Sequence, residues 1–145
     1  MTKLGEITVN GKPVSVFEKP HVEPDFPWVD VEELAKAFLP RSRARRIVAL
    51  THRFGEAEGQ RACSTARNGD RIATIICHAM AQGLCGMIDV EAGHHVDELG
   101  PAHSGYSAAM GGFIFDKGLM SMEAMFAAFK NSGGPSMRAF REGKA

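Results

Sequence analysis

A chain of 145 residues with three cysteines and no net charge at neutral pH is long enough to bury a core of its own without disulfides or metal. Its neutral balance excludes a uniformly basic nucleic-acid coat and an acidic solvating tail, and no apolar run approaches the ~18 residues that a membrane-spanning helix needs. Cys63, Cys77 and Cys85 are odd in number and lie in or beside apolar runs, which predicts reduced thiols; with no charged segment leading into an apolar leader at Met1, the expected compartment is the cytoplasm, with no membrane anchor.

The first element is a hairpin. Ile7 and Val9 alternate with polar residues before Asn10-Gly11, and Val14, Val16 and Phe17 follow it; Asn-Gly between alternating apolar runs favours a two-residue turn. Pro20, Pro24 and Pro27 punctuate the next stretch. Asp30 then supplies an N-cap carboxylate with Glu33 three positions on, which predicts a short helix over 31–39 stopped by Pro40. A second helix is expected over 42–54: Ala44, Ile47, Val48 and Leu50 share an apolar face, while Arg43, Arg46 and Arg53 gather on another.

A second hairpin is expected over 61–77, with Asn68-Gly69 at its turn and an apolar returning arm that ends at Cys77. Met80, Leu84, Met87 and Ile88 fit a buried helix over 78–88, although Gly83 and Gly86 weaken it. From 89 to 112 no period is evident, and a long loop or several short pieces are expected. Met122, Met125, Phe126 and Phe129 recur at helical spacing in a helix over 122–130 that ends at Gly133-Gly134-Pro135. A last helical turn over 136–141 follows. The expected fold is α+β: two β-hairpins forming a small antiparallel sheet packed against three to five short helices. It forms one domain over 1–145, with its core in 1–88 and a long loop and C-terminal helices in 89–145.

Charge is arranged in blocks. Net charge is −3 over 1–40, +5 over 41–71, −5 over 72–116 and +3 over 117–145, and all eight basic residues of the second block are arginine. Arginine presents a planar fork suited to phosphate, carboxylate or guanine edges, which solubility alone does not require. One reading is an ordinary solvated face that pairs with Glu32 and Glu33. The other is a phosphate-contacting helix (Arg41, Arg43, Arg45, Arg46, Arg53) beside a hairpin tip carrying Arg67 and Arg71, as in winged-helix and β-ribbon proteins on a duplex. Only Phe54 is an aromatic neighbour of these arginines, so stacking on single-stranded bases has little support.

From Gly5 to Ile88 the chain resembles the amino-terminal domain of phage antirepressors and baculovirus repeat (Bro) proteins. The resemblance rests on an opening hairpin, Trp28-Val29-Asp30-Val31 leading into Leu34-Ala35-Lys36-Ala37-Phe38, a helix ending near His52, and a Gly-containing hairpin running into an apolar strand and a helix with Gly83-Leu84. It implies binding to DNA or to a phage repressor. The function expected is that of a small phage or mobile-element type regulatory protein binding nucleic acid through the arginine-rich helix and hairpin tip. The alternative is a protein-binding inhibitor or antirepressor, including an anti-defence protein, that occupies a host or phage partner's surface.

Two further groups of residues are candidates for chemistry. Cys77-His78 stands at a strand-to-helix junction, where a thiol can be activated, but neighbours in sequence rarely face each other, and a structural cysteine beside a capping histidine is the simpler account. His94, His95, Asp97, Glu98 and His103 are the densest set of metal-ligand types, yet they match no catalytic zinc spacing. No cofactor, metal site or catalytic residue is expected. The Met-Phe stripe of 119–129 reads as a core face, or as an adaptable interface for a homodimer through the helix bearing Met122 and Phe129.

Overall fold

The computed structural model of the protein describes residues 2–57 and 62–131. Strands β1 (Lys3–Val9) and β2 (Lys12–Phe17) form the first hairpin. Asn10 and Gly11 have φ of 51° and 75°, and two successive positive values make the primed turn whose twist suits antiparallel strands. A three-residue strand β3 (Trp28–Asp30) follows and runs directly into helix α1 (Val31–Lys36), where Asp30 accepts the amides of Glu32 and Glu33. Helix α2 (Arg41–Ala57) precedes the second hairpin, β4 (Cys63–Asn68) and β5 (Arg71–Ile76). Helices α3 (His78–Glu91), α4 (Pro101–Lys117) and α5 (Met122–Asn131) complete the order. The fold is α+β, as the sequence predicts.

The sheet has the order β1-β2-β3-β5-β4, antiparallel throughout. β3 is therefore the strand that joins the two hairpins into one sheet: Val29 lies opposite Val16 on one side and Ile76 on the other. In the second hairpin the turn falls one residue later than expected. Asn68 pairs with Arg71, and Gly69, with φ of 64°, takes the positive-φ position of a Gly69-Asp70 turn.

Pairing fixes which side chains share a face. Ile7, Val9, Val14, Val16, Val29 and Ile76 point toward the helices and join Leu34, Cys85, Tyr106, Met110 and Phe113 in the main core. Phe17, Trp28, Ala66 and Ile75 point the other way and form a second cluster with Ala62 and Cys77. The sheet curls around this cluster, so that Lys3 Nζ on edge strand β1 lies 3.4 Å from Asn68 Oδ1 on edge strand β4.

The long loop expected over 89–112 is corrected by the structure: 101–112 is most of α4. Its N-cap, Gly100, makes no side-chain cap bond. Instead Asp89, near the end of α3 and almost fully buried, accepts the amides of Ala102 at 2.8 Å and His103 at 2.9 Å. The cap is lent by another helix, which removes the usual local start signal. The helix expected to stop at Ile88 continues to Glu91, and the one expected to reach 39 ends at Lys36. Arg61, the 133–135 stop and the turn over 136–141 lie outside the described residues.

Candidate functional site

The seven arginines singled out from sequence divide into two groups. Arg71 is part of the scaffold. Its guanidinium lies 2.5 Å from Asp30 Oδ2, 3.1 Å from Glu32 and 3.9 Å from Glu33, and the side chain of Asp30 is wholly buried. Partial burial opposes its charge, but the hydrogen bond and charge of Asp30, with Glu32 and Glu33 beyond, hold its pKa above the ordinary value. Asn68 donates to the same Asp30 oxygen at 2.9 Å and to Ser15 Oγ at 3.0 Å. The hairpin tip is thereby clamped to the start of α1, and the Arg71 guanidinium is already engaged by carboxylates. It is Arg71, and not an arginine of α2, that meets Glu32 and Glu33.

The other arginines are exposed. Arg43 pairs with Glu91 at the end of α3. Arg41, Arg45, Arg46, Arg53 and Arg67 have no ion-pair partner among the described residues. Within α2, Ile47, Leu50 and Phe54 recur at spacings of three and four and form one line. Arg46 precedes Leu50 by four positions and Arg53 follows it by three, so both flank that line. Arg41 and Arg45 lie around the far side of the helix.

The line of apolar residues on α2 faces a groove that is not legible in the sequence. Its volume is about 450 Å³, and its opposite wall is α3, through Met80, Gly83 and Met87. The helices run antiparallel along it, since Arg43 early in α2 meets Glu91 late in α3, closing one end. Leu50, Phe54 and Met87 are 51 %, 38 % and 44 % exposed, an apolar surface larger than scattered single residues would make. A second depression of about 540 Å³ shares Gly83 and Met87 and continues toward Val96, Leu99 and His103. Polar atoms are few along the first groove: Thr51 turns its hydroxyl back to Ile47 O at 2.8 Å.

Cys77 and His78 point to opposite sides of the sheet. Cys77 is buried with Phe17, Trp28 and Ile75. Burial pushes its thiol up to about 12, and Cys85 likewise, while burial also raises Cys63. No thiolate is available near neutral pH. His78 instead stacks against Phe26 with centroids 4.7 Å apart, and its Nδ1 is 2.7 Å from Tyr106 Oη. Burial, with His103 nearby, lowers its pKa to about 4.

His95 Nδ1 lies 3.6 Å from Asp97, whereas His103 sits in the first turn of α4. Among the described residues no three His, Cys, Asp or Glu side chains gather as metal ligands would, and no helix is long and apolar enough to cross a membrane.

The Met-Phe stripe is not the core face it resembles. Met122, Phe126 and Phe129 are exposed on α5, and Ala128 is the residue it buries, with Met120 and Met125 packed at the core's margin. The chain matches no family model and no curated protein, and its fold matches no solved structure.

Proposed function

We propose that the protein is a small regulatory protein of the inhibitor or antirepressor type, which acts by seating part of another protein in the groove between α2 and α3. The observation that carries this reading is the line of half-buried Ile47 and exposed Leu50 and Phe54 facing Met80 and Met87 across an open trough. Exposing such a surface is unfavourable by roughly 25 cal/mol for each Å², and nothing else in the described chain covers it. The resemblance to Bro-type amino-terminal domains is consistent with the same class. The test is capture from cell extract by the wild type and by Leu50→Asp/Met87→Asp, each with and without nuclease. The expected bound proteins survive nuclease and are lost with the double variant. An identical set on both forms, or complete release by nuclease, refutes the reading.

A second reading has its own observation: Arg41, Arg45, Arg46, Arg53 and Arg67 stand exposed without ion-pair partners among the described residues. As phosphate contacts of a phage or mobile-element type regulator they would bind duplex DNA or RNA. The affinity would then fall steeply between 50 and 200 mM salt. Absence of binding at low salt removes that reading.

A further inference from the structure

We infer that the occupant of the α2–α3 groove is an acidic amphipathic α-helix of a partner protein, its apolar stripe on the groove floor and its carboxylates on Arg46 and Arg53. The inference rests on the protein-docking reading above and assigns the partner's chemistry.

Three independent features of the groove converge on it. The first is shape. The floor is laid by two antiparallel helices, with apolar residues at spacings of three, four and seven on α2 and matching positions on α3. The trough accepts a third helix as a bundle does, with anchors at the same spacings.

The second is Gly83. In the middle of an apolar helix glycine is among the least favourable residues. A close neighbour within the chain would explain it, but a Cβ built at Gly83 meets nothing within 4 Å, and the same holds for Gly86. Gly83 lines the groove, while Gly86 lines only the adjoining depression. The bare backbone lowers the floor at its centre, where a partner's backbone must come closest.

The third is charge. Arg46 and Arg53 lie seven positions apart on the same flank of α2, bracketing Leu50, and neither has an ion-pair partner among the described residues. Seven residues of helix rise roughly 10.5 Å, so two carboxylates one heptad apart on a partner helix meet both arginines at once. Such pairs at the rim steer encounter and set orientation, while the apolar floor supplies contact area. A basic helix would place like charges against that rim.

The probes are three fluorescein-labelled designed peptides that share a leucine stripe at i, i+3, i+4 and i+7 and differ only in their remaining positions, all Glu, all Gln or all Lys. Anisotropy is read against the full chain at 50 and 300 mM salt. The Glu peptide should bind at least tenfold more tightly than the Lys peptide and lose several-fold at the higher salt. Arg46→Glu/Arg53→Glu should reverse the order. Gly83→Leu should weaken the Glu peptide at least tenfold while the thermal midpoint stays level or rises, because its Cβ enters open space.

Equal binding of the three peptides, all lost with Gly83→Leu, overturns the acidic occupant and leaves the docking groove standing. Binding that Gly83→Leu does not affect overturns the groove. If no peptide binds and a labelled duplex does, through Arg46 and Arg53, both the occupant and the docking reading fall.

Discussion

Acid should unfold this protein partly through a single imidazole. His78 packs against Phe26 and shares a hydrogen bond with Tyr106, in a setting that favours the neutral ring. Its pKa falls from 6.5 to about 4 on folding. The unfolded chain therefore takes up a proton that the native chain refuses. Above about pH 6.5 neither state is protonated and His78 imposes no penalty. Between about 6.5 and 4 stability falls by about 1.4 kcal/mol per pH unit, and below about 4 the native state is protonated too and the loss stops growing. The whole effect is roughly 3 kcal/mol, a large share of a typical domain's stability. Trp28, the only tryptophan and wholly buried, reports unfolding by its fluorescence. Urea titrations at pH 7.5, 6, 5 and 4 on wild type and His78→Asn isolate the contribution, because the carboxylates titrate alike in both. Asparagine keeps a polar atom near the Nδ1 position and cannot titrate. The wild type should lose about 3 kcal/mol more than the variant across this range. Parallel pH profiles, or an imidazole that titrates near 6.5 in the native state by NMR, would refute the reasoning.

Arg71→Ala leaves the Asp30 carboxylate buried with Asn68 and the α1 amides as its remaining partners. Breaking a buried pair can cost 3–5 kcal/mol, and since Arg71 is 40 % exposed water will replace part of it; a loss of about 2 kcal/mol in urea unfolding is expected, and no loss would remove Arg71 from the scaffold. At Gly100 an added Cβ would stand 2.4 Å from Asp89 Cγ, so Gly100→Ala should displace the carboxylate that caps α4. The combined loss of cap and packing is about 2–4 kcal/mol, seen as faster amide exchange at Ala102 and His103. The three thiols are buried. Iodoacetamide at pH 7.5 should leave Cys77 unmodified in native protein and alkylate it in urea, by peptide mass mapping; rapid native labelling would revive a nucleophilic role.

What the sequence revealed was mostly what is encoded locally. Asn10-Gly11 and the cap at Asp30 announce themselves within a few residues, and the first hairpin and α1 stand where those signals put them. α4 escaped because its capping group comes from Asp89, eleven positions before Gly100, though Pro101 at its first position was a legible hint. β3 is only three residues long and shows no alternation; its pairing with two distant strands makes it a strand.

The arginines were visible, but their fates were not. Arg71 finds Asp30 across 41 positions, and Arg43 finds Glu91 across 48. The groove needs two helices separated by a hairpin, which no window reveals. Gly83 is a faint trace of it in the sequence, an expensive residue within a helix, at a position whose backbone no neighbour approaches.

The curl of the sheet brings its two edge strands within reach of each other. An open five-stranded sheet presents two unpaired edges, each a template for strand addition by another molecule. Here the tip of β4 leans over toward β1, with Lys3 and Asn68 at the seam, and what holds it there is the Asp30–Arg71–Asn68 clamp. Release of the clamp would free the tip of β4 from β2, β3 and the start of α1. The polar network under the hairpin tip thus ties the two ends of the sheet to each other and to the start of α1, so that one buried carboxylate, Asp30, serves both hairpins.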